Sequence, residues 1–389
     1  MRFKRSICRV PTSASATRFS VTIPFFNYPA LFSDQEAKFV EIFKTVGRRG
    51  AFIMQDDLRK FEERVAAYSG AAHAIGVANA TDGLELLLSA GGIGPGDEVI
   101  FCSHTMVATA GAIHSVGATP VPAEVGADHL IDVDKIESLI TERTRAIMPT
   151  QLNGRVADMD KILAITSKHK LDLYEDAAQG LGASYKGRFA GTFGKGGCIS
   201  FYPAKNLGCF GDGGLVLTND TKLYHAMMAM RDHGRDPQTG DIVGWGRNSR
   251  LDNLQAAILA HLFEDYDGIV ARRRAIAARY DQRLKRINSL VLPPPPDADP
   301  ERFDVFQNYE IEADRRDDLK AHLSANGIGT LIQWGGKAVH QYPALKLSAR
   351  LPHTETLMAR MIMLPLNLSI TDDEVDAVCD AIESFYAHG

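Results

Sequence analysis

Two apolar runs in the middle of the chain each end in residues suited to acid–base or covalent chemistry. Residues 171–174 lead into Glu175 and Asp176, and residues 198–202 lead through Pro-Ala to Lys205 and a glycine-rich turn. A lysine that forms an imine must be partly desolvated, because only its neutral amine reacts. The apolar and glycine neighbours of Lys205 favour that environment. We therefore predict that Lys205 carries an aldehyde cofactor as an imine.

The carboxylate of Asp176 makes this prediction more specific, since a lysine alone after a strand is most often a surface residue. A pyridinium nitrogen needs a carboxylate partner to stay protonated and to act as an electron sink. An acid and a lysine at the ends of two strands can reach opposite ends of one such ring. Ser200 and the following glycines offer hydroxyl and backbone donors to a phosphate. Thr81 and Asp82 lie at the start of a predicted helix and could form a second anion site, although plain helix capping is the favoured interpretation of these two residues taken alone.

The elements around these residues predict an α/β fold. Strands alternate with helices, which is typical of a mostly parallel sheet covered on both faces. Ligand-binding residues then gather at the carboxyl ends of the strands. The sequence has no clean GxGxxG pattern, so a dinucleotide-binding fold is not supported. The predicted strands are 74–79, 98–102, 119–123, 146–150, 171–174, 198–202 and 215–218, and the predicted helices are 56–70, 84–90, 109–115, 160–169 and 221–230.

The pattern changes after residue 265, which predicts a domain boundary. A helix is expected to open at 248–257, and a long charged helix at 264–287 ends near four consecutive prolines. Beyond it we expect a strand at 307–312 and helices at 316–325 and 372–386. These features predict a tail at 1–24, a large cofactor-binding domain at 25–265 and a smaller α+β domain at 266–389.

Composition excludes several classes of protein. The 389 residues are 45% hydrophobic and 23% charged with a net charge of -5, which gives no reason to expect a nucleic-acid partner. Five scattered cysteines favour a reducing compartment over a disulfide or zinc framework. No apolar run reaches the roughly 20 residues of a membrane span, so we expect a cytoplasmic protein. The basic, Ser/Thr-rich first 24 residues have the composition of a transit peptide, but a disordered tail or an upstream start site fits them better.

The sequence also resembles a known family along almost its whole length. From about residue 25 to the C-terminus it is similar to the DegT/DnrJ/EryC1/StrS sugar aminotransferases, which use pyridoxal 5'-phosphate (PLP) on the fold-type I scaffold. The motifs that carry the resemblance are ATDGL (80–84), PTQLNGRVADMD (149–160), EDAAQ (175–179), SFYPAKNLGCFGDGG (200–214) and GRNSRLDNLQAAIL (246–259). Their common order makes a chance match implausible.

The resemblance implies a role for each matching residue. Lys205 would hold the cofactor and shuttle the proton, Asp176 would pair with the pyridine nitrogen, and Gln179 would bind the ring's 3'-oxygen. Thr81, Asp82 and Ser200 would hold the phosphate. Asn248 would reach the phosphate of a partner subunit, so a homodimer with shared active sites is implied. The implied reaction moves an amino group from glutamate to a nucleotide-linked keto sugar, for amino-sugar glycans such as lipopolysaccharide O-antigen.

Two departures from the family pattern lie where the acceptor sugar is expected. Met106 stands where the family usually stacks an aromatic ring on the cofactor; a thioether can cover the ring, and His104 is an alternative stacking residue. In the small domain, the usual HYP is replaced by Gln333-Trp334-Gly335. Trp334, Lys337 and His340 are candidate substrate contacts, with a solvated loop as the alternative.

Other functions stay open on the sequence alone. A keto-cyclitol (scyllo-inosose type) aminotransferase would use the same catalytic residues. A regulator that binds PLP or a nucleotide sugar without catalysis would be expected to have lost part of the set Lys205, Asp176 and Gln179. The dehydratase branch of the family carries histidine in place of the lysine, so Lys205 argues against it.

Overall fold

The computed structural model describes residues 23–387. The expected tail at 1–24 therefore lies almost entirely outside the described residues. The helices are α1 (Tyr28–Ser33), α2 (Glu36–Arg49), α3 (Asp56–Ser69), α4 (Ala80–Ala90), α5 (Val107–Ser115), α6 (Val133–Ile136), α7 (Met159–His169), α8 (Thr221–Met230), α9 (Asn253–Leu262), α10 (Tyr266–Leu284), α11 (Arg316–Ala325), α12 (Pro352–Arg360) and α13 (Asp372–Ala387). The strands are β1 (His73–Val77), β2 (Glu98–Cys102), β3 (Thr119–Ala123), β4 (Thr144–Met148), β5 (Asp172–Asp176), β6 (Ser184–Tyr185), β7 (Arg188–Phe189), β8 (Gly196–Ser200), β9 (Gly214–Thr218), β10 (Leu290–Val291), β11 (Arg302–Phe303), β12 (Tyr309–Ala313) and β13 (Met361–Leu364).

A seven-stranded sheet forms the centre of the molecule, in the order β1-β9-β8-β5-β4-β2-β3. The pairs from β8 to β3 are parallel, and β9 runs antiparallel to both of its neighbours. Every residue of β2, β8 and β9 is buried. Strands covered on both faces read as continuous apolar runs, which is why the sequence revealed them. The predicted α/β fold is confirmed.

The helix α3 shows how the covering layer is specified. Leu58, Phe61 and Val65 are spaced by one helical turn and are buried on one face. The helix ends where Gly70 adopts the left-handed conformation, with a φ of 68°. The helix predicted at 56–70 is confirmed.

A second, smaller core surrounds the three-stranded sheet β10-β12-β13. The long helix α10 takes part in both cores, because Tyr266 and Val270 pack with the large sheet while Ile276 and Leu284 pack with the small one. Farther along the chain, Ala338, Val339, Leu357 and Met358 pack in the cores that flank the large sheet. The proposed boundary after residue 265 stays a prediction.

Two predicted helix starts are wrong, and the first is that of α4, which begins at Ala80 rather than at residue 84. The helix expected from Asn248 begins at Asn253, because the backbone of the preceding residues is paired elsewhere. The N–H of Arg247 donates to Met230 O, and that of Ser249 donates to Arg231 O, at 2.8 and 2.9 Å. The backbone is extended at the bridge between Asn248 and Asp232 and again at Asp252, whose ψ is 138°, so helical dihedral angles begin only at Asn253. No sequence pattern predicted α1, α2, α6, α12, β10 or β13, or the small sheet β11-β6-β7.

Across residues 23–387, no helix combines the length and apolar character needed to cross a membrane.

Candidate active site

Lys205 lies in a tight loop directly after β8. Its backbone N–H donates to Tyr202 O at 2.8 Å, and Gly208 approaches Pro203 so closely that a Cβ there would lie 2.7 Å from the proline carbonyl oxygen. Burial lowers the pKa of the Lys205 ammonium to about 8, although the nearby Asp176 carboxylate opposes the shift. The amine therefore loses its proton more readily than an exposed lysine does, as imine chemistry requires.

Asp176 ends β5 and is almost fully buried. Its carboxylate accepts a hydrogen bond from Thr109 Oγ1 at 2.5 Å and another from the N–H of Ala178 at 3.2 Å. Burial raises the pKa of Asp176, while these two donors and the nearby Lys205 oppose the rise. A buried carboxylate with few donors is stabilised by a cationic partner. The site thus offers a place for a protonated ring nitrogen.

Three buried threonine hydroxyls extend inward from this carboxylate. Thr109 Oγ1 lies 2.8 Å from Thr105 Oγ1, which accepts in turn from Thr150 Oγ1 at 3.0 Å. The chain of hydroxyls fixes the Thr109 donor that faces Asp176. Sequence reasoning missed Thr109 because no local pattern links it to a strand end 67 residues away.

The predicted phosphate residues meet at one corner of the large sheet. Thr81 and Asp82 lie in the first turn of α4, where Asn79 Oδ1 accepts from the N–H of Asp82 at 2.9 Å. Ser200 ends β8 and pairs with Gly214 of β9. A Cβ on Gly214 would lie 2.6 Å from the carbonyl carbon of Asn79, so only glycine lets β9 approach the helix start this closely. Free N–H groups at such a helix start favour an anion.

Gln179 lines a small cavity together with Ser200 and Lys205. Its Oε1 accepts from the N–H of Asn153 at 2.8 Å and from Asn308 Nδ2 at 3.3 Å. The structure therefore brings three predicted cofactor residues to one cavity.

Gln307 holds the chain on both sides of the lysine. Its Nε2 donates to Ala204 O and its Oε1 accepts from the N–H of Asn206, both at 2.8 Å. Gln307 and Asn308 lie just before β12 of the small sheet. The sequence contained no signal for these contacts, because they join segments about 100 residues apart.

The two predicted ring-stacking residues have very different surroundings. Met106 is the N-cap of α5, where its side chain is 49% exposed and its Sδ accepts from the N–H of Ala108. His104 is 1% exposed and its Nε2 lies 3.4 Å from Glu310 Oε2. The environment of Met106 leaves its side chain accessible to a ring, whereas His104 is enclosed beside the Glu310 carboxylate. Both roles stay predictions.

The carboxylate partner of His104 belongs to a buried charge cluster. Glu310 Oε1 lies 2.9 Å from Nδ1 of His129. Burial alone would raise the pKa of Glu310, but the two histidines lower it well below its usual range. Burial opposes the charge on His129, yet hydrogen bonds to Glu310 and Glu312 raise its pKa to about 9. The cluster ties the loop after β2 to the small sheet.

The predicted acceptor residues are spread over a short stretch of the chain. Trp334 is half-buried with its ring 5.6 Å from the His104 ring, edge to face. Lys337 is exposed. His340 is buried, with Nδ1 at 2.7 Å from Ser103 Oγ and Nε2 at 3.4 Å from Glu355 Oε1. His340 therefore anchors the loop after β2 in this structure, and its predicted contact with the acceptor stays a prediction.

Asn248 lies at the base of an exposed ribbon. Its backbone bridges to Asp232, and the ribbon beyond presents Ile242, Val243 and Trp245 to solvent, with Trp245 97% exposed. Exposed apolar residues close together in the chain are a common feature of interaction surfaces.

Comparison with known proteins agrees with this architecture. The fold is that of fold-type I PLP-dependent transferases, and the protein is an aminotransferase. The chain belongs to the DegT/DnrJ/EryC1/StrS aminotransferase family, whose model matches residues 33–383.

Several characterised relatives span nearly all of the chain. The dTDP-3-amino-3,4,6-trideoxy-alpha-D-glucose transaminase of Streptomyces venezuelae is 38% identical and covers 93% of this chain and 96% of its own. The UDP-2-acetamido-2-deoxy-3-oxo-D-glucuronate aminotransferase of Pseudomonas aeruginosa is 36% identical over 86% of this chain and 92% of its own. The crystal structure of S. venezuelae DesV with a ketimine intermediate superposes with a TM-score of 0.89 at 37% identity, covering 94% of this chain and 98% of that one.

Proposed function

We propose that this aminotransferase uses PLP to move an amino group from glutamate to the keto group of a nucleotide-linked keto sugar. Relatives named for dTDP-sugar and UDP-sugar substrates support the acceptor class. The half-buried Lys205, whose pKa is lowered, lies near the buried Asp176 carboxylate, and this pair is the observation that carries the chemistry. The product would be an amino sugar for glycans such as lipopolysaccharide O-antigen.

The chain's residues fit the cofactor on several independent points. Asp176 would pair with the protonated ring nitrogen, and Lys205 would attach the cofactor aldehyde. Thr81, Asp82 and Ser200 lie where the start of α4 favours a phosphate. A pyridoxal-type cofactor is also supported by the structure of NtdA from Bacillus subtilis, which contains the bound cofactor PMP. That structure is 27% identical and has a TM-score of 0.87, covering 94% of this chain and 86% of that one.

Bound PLP supplies a conjugated ring that can accept the electrons of a broken C–H bond. Lys205 Nζ would be the base for that proton once an incoming amino group has replaced it on the cofactor aldehyde, because the lowered pKa of about 8 makes its free amine accessible near neutral pH. Asp176 holds a proton on the ring nitrogen by charge, and Thr109 keeps the carboxylate in place. The tight loop and the Gln307 hydrogen bonds hold the backbone on both sides of Lys205.

We also propose a cytoplasmic homodimer. Asn248 would reach the phosphate in the partner subunit, and the exposed residues of the neighbouring ribbon would be covered by the second copy. Burial of Trp245 and its neighbours would repair an otherwise unfavourable apolar surface. Sedimentation of the wild type and a Trp245→Asp variant tests this, with a shift toward monomer and loss of activity expected for the variant.

A keto-cyclitol acceptor is the alternative within the same chemistry. A regulator without catalysis is the alternative outside it, since a relative from Geobacillus stearothermophilus, 36% identical over 95% of this chain and 100% of its own, is named a pleiotropic regulatory protein. The presence of Lys205, Asp176 and Gln179 together favours catalysis.

Purified protein loaded with PLP provides the test. We expect a visible absorption band that disappears when glutamate is added, followed by amine transfer to one member of a panel of keto-sugar nucleotides. Lys205→Ala should lose the glutamate response, while Lys195→Ala, a change at an exposed lysine in the preceding turn, should keep it. Transfer only to keto-inositols would show that the acceptor is a keto-cyclitol rather than a nucleotide-linked sugar. A band that glutamate leaves unchanged would contradict the whole proposal.

A further inference from the structure

We propose that Asn308, acting with Asn153 and Gln333, orients the side chain of Gln179 so that its NH2 group faces the cofactor. Asn308 is thus a positioning residue that connects the small sheet to the electronic state of the ring. The inference rests on the proposed function, because it assigns Gln179 to the ring oxygen. Four hydrogen bonds on the described residues carry it.

The first hydrogen bond fixes which end of the Gln179 amide is which. The backbone N–H of Asn153 points at the amide at 2.8 Å, and a backbone N–H can only donate. The atom it meets must therefore be Oε1. Asn308 Nδ2 donates to the same oxygen at 3.3 Å. Both lone pairs of Oε1 are occupied, which leaves the NH2 group as the end available to a ligand.

The orientation of Asn308 is fixed in the same way. Its Nδ2 also donates to Asn153 Oδ1 at 2.9 Å, so its two hydrogens serve two oxygens. Asn153 Oδ1 accepts a second bond from Gln333 Nε2 at 3.1 Å. A flip of any one amide would place a donor against a donor or an acceptor against an acceptor. The amides consequently hold one arrangement together.

Asn153 is itself held in an uncommon conformation. Its φ is 55°, in the left-handed region that Asn tolerates better than most residues. The backbone carbonyl oxygen of Asn153 accepts a hydrogen bond from the N–H of Gln307 at 2.9 Å, and this bond joins the turn to the start of β12. The turn after β4 and the small sheet therefore set the direction of Gln179, which follows β5.

The direction of the amide has a chemical consequence. A donor facing the ring's 3'-oxygen stabilises negative charge on that oxygen. The negative charge on the oxygen also stabilises a proton on the neighbouring imine nitrogen. A donor that satisfies the oxygen weakens this stabilisation, so the pKa of the imine nitrogen falls. An acceptor in the same place would repel the oxygen and raise that pKa.

The pH titration of the visible band of the PLP-loaded protein tests the proposal. Asn308→Asp puts a carboxylate oxygen where a donor met Gln179 Oε1, and we expect the titration midpoint to rise by about one pH unit, a tenfold change in the proton equilibrium. Asn308→Leu removes the donor without adding charge and should raise the midpoint by less. Asn326→Asp, at an exposed amide in α11's cap, should leave the midpoint unchanged.

A double-variant comparison separates positioning from general disturbance. Gln179→Leu should raise the midpoint, and adding Asn308→Asp to it should cause little further change, since the two act through one hydrogen bond. Additive shifts, or a wild-type midpoint in both Asn308 variants, would overturn the inference and leave the proposed function standing. A wild type with no visible band after loading would overturn both. If Asn308→Asp fails to fold, the Asn308→Leu titration decides the question alone.

Discussion

The two faces of β5 at its carboxyl end carry adjacent buried acids with opposite surroundings. On one face, Glu175 accepts from Gln151 Nε2, from the N–H of Gly191 and from the N–H of Phe193, at 2.7, 2.9 and 2.6 Å. On the other face, Asp176 has Thr109 and Ala178 as donors and Lys205 nearby. Burial raises the pKa of both carboxyls.

The difference is the number and kind of donors rather than burial or position. Glu175 accepts hydrogen bonds from three protein donors, and two of them, Gly191 and Phe193, connect β5 to the turn at 191–193. Asp176 has only two donors and lies near the Lys205 amine, so it can take a cationic partner. Buried acids that are saturated by backbone donors are structural, and those left open beside a perturbed lysine are candidates for function.

Of the predicted changes, Asp176→Asn should have the largest effect on the rate of the reaction. The amide cannot hold a proton on the ring nitrogen by charge, so we expect glutamate half-reaction rates to fall about a thousandfold. The free energy of unfolding should change little, because the amide still accepts from Ala178 and can donate to Thr109. Stopped-flow spectroscopy and urea unfolding measure the two quantities. A fall of less than tenfold in rate would contradict the assignment of Asp176 to function and of Glu175 to structure.

Glu175→Ala should show the opposite profile. It leaves three buried donors without an acceptor, at about 1–3 kcal/mol each, so the free energy of unfolding should fall by at least about 3 kcal/mol. The folded fraction should keep its glutamate reaction. Urea unfolding and the rate per loaded site are the measurements, with Glu137→Ala as an exposed control. A well-folded variant without glutamate reactivity would show that Glu175 acts in the pocket after all.

The pH dependence of stability gives a sharper test of Glu175. Burial raises its pKa from 4.5 to about 7, against the opposing hydrogen bonds of Gly191, Gln151 and Phe193. The folded state therefore binds more protons than the unfolded state between these values, and stability falls as the pH rises from about 4.5 to 7. The shift corresponds to about 3 kcal/mol. Glu175→Gln does not titrate, so the difference in unfolding free energy between wild type and variant should change with pH in this window; a constant difference would contradict the prediction.

Thr109→Val should have the smallest effect of the four. Removing the hydroxyl donor from the Asp176 carboxylate costs about 1.5–3 kcal/mol for a hydrogen bond to a charged group, or roughly tenfold to a hundredfold in rate. Thr109→Ser keeps the donor and should restore most of the activity. Equal losses in the two variants would mean that the methyl group, rather than the hydroxyl, matters at this position.

The sequence sufficed for the large sheet and for the residues that follow its strands. Lys205 and Asp176 stood out because each comes directly after a buried run, and parallel strands place such residues at one edge. The residues that orient them did not stand out. Thr109, Asn153, Gln307 and Asn308 reach the site from distant elements through single hydrogen bonds, which leave no periodic pattern. The predicted helix start at Asn248 failed for the same reason, because a backbone bridge to residues 230–232 overrode the local preference.

The helix α10 has a mechanical consequence. Its first turns are packed into the large core and its last turns into the small one, without an interruption between Tyr266 and Leu284. A continuous helix resists bending, so rotation of one core against the other would have to pull apolar side chains out of their packing. We therefore expect substrates to enter and leave by local displacement of loops, and the two cores to lose their structure in a single thermal transition.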